Sequence, residues 1–233
     1  MYSWNDILIV GDSFCAKRST YDHWPKLLYC ELTNDESREP RGEGYSGCAW
    51  WSVRKRLLDE LEICIPKILI IIHTDHTRLI NGRNAAINIG GTFNIIKHSR
   101  QKLKHPMYEF YDAAAEYYKH LYSKNFHIWA QKRWFEELDE ILEKYQIQKI
   151  IHLFINHDSD TFYRFKNGLT IKDKLARYLI KNFNSIEYDN HMTNERNQSL
   201  AYSLYNIINN EYITDQVYEK ILMEGGNDNI KDF

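Results

Sequence analysis

The chain has 233 residues, 43% hydrophobic and 27% charged, the make-up of a globular protein rather than a disordered one. Thirty basic against 32 acidic residues leave a net charge of -2, so no global field draws the protein to nucleic acid or to an anionic membrane. No apolar run is long enough to cross a bilayer, and the opening residues lack the basic stretch of a secretory signal.

The predicted elements follow in chain order. Ile7 to Val10 is a short apolar run ended by Gly11 and reads as a buried parallel strand. Tyr21 to Leu32 has helical spacing through Trp24, Leu27 and Leu28. Residues 33–47, rich in Asp, Glu, Arg, Gly and Pro, read as a loop with room for a short strand. A helix is expected from Trp50 to Glu62, with Trp51, Val53, Leu57, Leu58 and Leu61 at helical spacing. Lys67 to His73 is the strongest strand signal, a β-branched run without polar alternation, as suits a strand covered on both faces. Leu79 to Ser99 reads as an irregular excursion, and Met107 to Tyr145 as two helices broken near Ser123. Lys149 to Ile155 is a third core strand, residues 156–170 a loop, Ile171 to Phe183 a helix and Asn197 to Asn209 a last helix.

Strands alternating with helices predict an α/β domain over residues 1–223, built on a parallel sheet of about five strands. Residues 80–146 form a mostly helical insertion, and residues 224–233 a mobile tail. Sites in such sheets form at the carboxyl ends of strands, which directs attention to the segments after Val10, His73 and Ile155. The four cysteines have no CxxC spacing; reduced thiols in a cytoplasmic protein are expected.

Three segments carry chemistry-bearing residues. Gly11-Asp12-Ser13-Phe14 puts a serine at the end of the first strand, where a base could activate its hydroxyl. The plain alternative is a strand-end turn. Ser46-Gly47 precedes a helix, where a glycine can present a free N–H to an anion, or is simply a helix entry. Asp189 and His191 precede the last helix, where an acid could orient an imidazole; a loop histidine that merely packs is the alternative.

In this order the segments resemble the SGNH (GDSL-type) hydrolase family. Gly11-Asp12-Ser13-Phe14 is similar to its nucleophile block, Ser46-Gly47 to its second block, and His191 with Asn197 and Leu200-Ala201 to its last. The resemblance implies a three-layer, flavodoxin-like fold and hydrolysis of acetyl or acyl esters, often on sugars or lipids, without a cofactor. Variants of this kind occur in tailed bacteriophages, which would place the chain in a host cytoplasm. The implied roles make Ser13 the nucleophile, His191 the base and Asp189 its orienting acid. The Ser13 and Gly47 N–H groups form the oxyanion hole.

Two departures stand out. Where the family has Gly-x-Asn-Asp, this chain reads His73-Thr74-Asp75-His76-Thr77-Arg78. A carboxylate at Asp75 would replace an amide donor, and losing one such donor costs about 10²–10³ in rate. Thr74 is then an expected oxyanion donor together with the Asp75 position, and Asp12, His76 and Arg78 are expected to touch substrate. The last block reads Asp-x-His instead of Asp-x-x-His, so Glu187, or no acid at all, is an alternative to Asp189.

Competing readings remain. The same scaffold with an eroded third block would be a binding or structural protein. His73, Asp75 and His76 could instead hold a metal with help from His152, His157 or Asp160. The aromatic stretch Tyr117, Tyr118, Tyr122, Trp129 and Trp134 reads first as core or subunit contact, then as a substrate cleft, and the basic run 97–104 as a solvated face. The expected partner is a small-molecule or glycan ester, with no nucleic acid and no membrane.

Overall fold

The computed structural model describes residues 1–16, 23–42, 44–45, 48–79, 87, 92, 108–155, 159–174 and 194–210. Four strands, β1 (Ile7–Asp12), β3 (Ile68–His73), β4 (Lys149–Phe154) and β5 (Leu169–Lys174), form a parallel sheet. The two-residue β2 (Gly44–Tyr45) pairs with the carboxyl end of β1, Gly11 opposite Gly44 and Asp12 opposite Tyr45. The order across the sheet is β2-β1-β3-β4-β5. The helices are α1 (Trp24–Thr33), α2 (Trp50–Ile63), α3 (Tyr108–His120), α4 (Lys124–Glu143) and α5 (Asn194–Asn209).

Every residue of β1 and β3 is buried, which explains why both are apolar without alternation. Successive side chains go to opposite faces. Ile7, Ile9, Ile68, Ile70, Ile72, Ile151 and Leu153 pack with Trp24 and Leu28 of α1 and Leu200 and Leu204 of α5. Leu8, Val10, Leu69, Ile71, Ile150 and Phe154 pack with Leu57 and Leu61 of α2 and Phe135 and Leu138 of α4. The result is a sheet with helices on both faces, as an α/β protein requires.

The expected break between the two middle helices is present. Ser123 caps α4, its hydroxyl accepting from Phe126 N at 3.3 Å, as N-cap serines do.

The expected helix over 171–183 is corrected at its start: Leu169 to Lys174 is strand β5, paired with β4. The segment Leu169-Thr-Ile171-Lys-Asp-Lys174 alternates apolar with polar at first and then becomes charged, the pattern of an edge strand. Residues 175–183 lie outside the described residues. Gly168, at φ +104°, makes the entry. A β-carbon there would come within 2.6 Å of the Ile150 β-carbon, so only glycine fits.

Candidate functional site

β1 ends at Asp12, and the chain turns at once into a 3-10 turn, Ser13–Cys15. The turn exists because Asp12 Oδ1 accepts from Phe14 N at 3.0 Å. Gly11 is required beneath it, since a β-carbon would lie 2.6 Å from that of Ile72 and 2.9 Å from Cys15 Sγ. Ser13 is half-buried at the carboxyl edge of the sheet.

Asp12 itself has no exposure. Its Oδ2 meets Arg78 Nη1 at 2.8 Å and accepts from the Thr74 hydroxyl at 3.5 Å. Burial raises its carboxyl above the ordinary value, against the pull of Arg78, the Phe14 N–H and the Thr74 hydroxyl. Both of its oxygens face inward, where they fix the serine turn and the β3 loop. Thr74 is 2% exposed and its hydroxyl serves Asp12.

Arg78 bridges two segments, because Nη1 also donates to Cys48 O at 3.1 Å. The loop after β3 is further held by Gln131 Nε2 on Thr74 O at 2.8 Å and Tyr118 OH on Thr77 O at 2.6 Å. Asp75 Oδ1 accepts from Thr77 N at 2.7 Å and lies 3.5 Å from His76 Nδ1. Asp75 thus caps its own loop and offers an acceptor, not the donor that an oxyanion needs. Arg78 stays beside the serine turn, and both Arg78 Nε and His76 Nε2 are buried without a hydrogen-bond partner.

Ser46, Gly47, Asp189 and His191 lie outside the described residues. Tyr45 pairs with Asp12, and Cys48 O is held by Arg78. The start of α5 is anchored as well. Phe14 O accepts from Trp24 Nε1 at 2.7 Å, and Trp24 N donates to Asn197 Oδ1 at 2.9 Å. These two bonds tie the serine turn to the first turn of the last helix.

The nearby thiols do not compete with Ser13. Burial first, then the charges of Asp12 and Cys48, pushes the Cys15 thiol well up, and burial pushes the Cys48 thiol up to about 11. A nucleophilic cysteine needs the opposite shift.

The metal alternative fares differently from the rest. His73 points into the core, its Nε2 3.0 Å from His152 Nδ1, with His152 Nε2 2.9 Å from Asn167 O. A carbonyl only accepts, so His152 carries its proton on Nε2 and accepts at Nδ1 from His73 Nε2–H. Phe165 stacks 3.7 Å from the His152 ring, and Phe135 lies 4.9 Å from that of His73. Burial holds both imidazoles low, His152 at about 4. His73 is thus committed to His152 rather than to Asp75 and His76. Among the described residues, no three ligating side chains gather.

Set against known protein families, characterised proteins and solved structures, the chain matches none. Sequence reasoning missed the Asp12–Arg78 pair and the Trp24 link. Neither has a local signature, because each partner is supplied by a distant loop. The buried histidine pair did leave a signal: His73 and His152 both interrupt apolar strand runs.

Proposed function

We propose that the protein is a serine hydrolase of SGNH type that cleaves an acetyl or acyl ester, with Ser13 as nucleophile. The carrying observation is the hydrogen-bonded path Phe14–Trp24–Asn197, which joins the serine turn to the start of the helix that His191 precedes. The strand order supports a flavodoxin-like arrangement, whose ligand crevice opens beside β1 and β3. That is the edge where Ser13, Arg78 and His76 sit.

In this reading Ser13 Oγ attacks the ester carbonyl carbon while His191 takes its proton. The Ser13 and Gly47 N–H groups receive the oxyanion. His191 then protonates the leaving alcohol. Water, deprotonated by His191, attacks the acyl-enzyme and frees the acid. Asp189 orients the imidazole. A small-molecule or glycan ester is the substrate, no cofactor takes part, and the setting is cytoplasmic. Ser13→Ala is expected to abolish turnover of p-nitrophenyl acetate while leaving the unfolding transition in place. Retained turnover refutes the assignment.

One observation favours a second reading, a binding protein on the same scaffold: the third-block position is Asp75, a carboxylate turned onto Thr77 N, instead of an amide donor. Under that reading the folded wild-type chain gives no turnover at all.

A further inference from the structure

Three side-chain atoms around the β3 loop are buried without a hydrogen-bond partner: His76 Nε2, Arg78 Nε and the Tyr122 hydroxyl. Leaving one buried polar group unpaired is unfavourable enough that native interiors contain few of them. Here three share one neighbourhood. His76 and Arg78 belong to the same loop. The Tyr122 ring lies 5.5 Å from Tyr118, whose hydroxyl holds Thr77 O, and 4.7 Å from His127, whose ring bonds the His76 backbone.

The two nitrogens share one design. Asp12 sits behind Arg78, engaging Nη1, and leaves the Nε edge uncommitted. Asp75 sits behind His76 on the Nδ1 side and leaves Nε2 uncommitted. A carboxylate at the back orients each side chain and, for Arg78, compensates its charge until an acceptor arrives in front. Burial, with Asp75 and Tyr117 nearby, raises the Tyr122 hydroxyl, which therefore stays an O–H donor. The Arg78 Nε–H and the Tyr122 O–H are donors without a protein acceptor, and they suit a small group rich in acceptor oxygens.

We propose that His76 Nε2, Arg78 Nε and the Tyr122 hydroxyl form a binding subsite for a compact oxyanion, a carboxylate or a phosphate group, beside the serine turn. The subsite does not require Ser13 to react. An inert Ser13 leaves it standing, and failed anion binding leaves the esterase reading standing.

The test is calorimetric titration of the full chain with inorganic phosphate, with acetate and with glucose as a neutral polyol, repeated on Tyr122→Phe. Phosphate or acetate is expected to bind, and which of the two binds tells the tetrahedral from the planar anion. Tyr122→Phe should weaken that binding about ten-fold, the effect of one hydrogen bond to a charged group. Its melting temperature in anion-free buffer should not fall, because the hydroxyl has no protein partner to lose. The proposal is overturned if neither anion binds, if glucose binds and the anions do not, if Tyr122→Phe binds undiminished, or if that variant melts lower without anion.

Discussion

Two polar pairs sit at neighbouring strand ends, on the same face of the sheet, and they are built to opposite ends. Asp12 and Arg78 are a charged pair at the edge beside Ser13, and Arg78 keeps an N–H unpartnered. His73 and His152 are a neutral pair enclosed by phenylalanines, closed off by Asn167 O. A charge stays in a protein interior only where a partner and further hydrogen bonds hold it, and the first pair has them from Phe14, Thr74 and Cys48. An imidazole in the same situation sheds its proton instead. The contrast separates the polar groups that face a ligand from those that fill the core.

Removing one partner of the charged pair should do the greatest damage. Arg78→Met leaves the Asp12 carboxylate buried without its countercharge, and about 3–5 kcal/mol of stability should be lost in urea unfolding at pH 7. A loss under 1 kcal/mol would show that Asp12 is already neutral there.

Acid should break the other pair. Both folded imidazoles are held below the ordinary value, so the unfolded chain binds protons more readily than the folded one. Stability is then full above about pH 6.5 and falls as pH drops toward 4, by up to about 1.4 kcal/mol per pH unit for each ring. Asp12, whose carboxyl is raised, works in the opposite sense, its contribution being present at low pH and lost as pH rises. Urea unfolding at pH 7 and pH 5 reads the sum. His152→Gln, which has one titrating ring fewer, should roughly halve the loss.

A smaller effect is expected where backbones crowd the serine turn. In Gly44→Ala the new β-carbon would lie 1.7 Å from Asp12 O, so β2 must shift, at about 1–3 kcal/mol. The smallest lies at the surface. The pair of Arg133 with Glu136 is solvent-exposed, and Arg133→Ala should change stability by less than about 0.5 kcal/mol. A larger change there would remove the contrast between exposed and enclosed charges.

The legible parts of the fold are those with strong local pattern. Ile68 to Ile72 has no polar residue, so its burial on both faces could be read directly. The α3–α4 break was legible because Ser123 is a capping residue at the right place. β5 was not, because an edge strand carrying Lys172 and Lys174 lacks the apolar run that marked the others. For the site, the serine turn could be located from Gly11 and the strand before it. Its supports could not: Arg78 reaches Asp12, and Trp24 reaches Phe14 and Asn197, only after the sheet has assembled.

The most direct test of the serine assignment is labelling of the intact protein with a fluorophosphonate, followed by peptide mass spectrometry. The account predicts a single adduct on Ser13, lost in Ser13→Ala and in His191→Ala. A folded protein that takes up no probe, or takes it up on another residue, would contradict it.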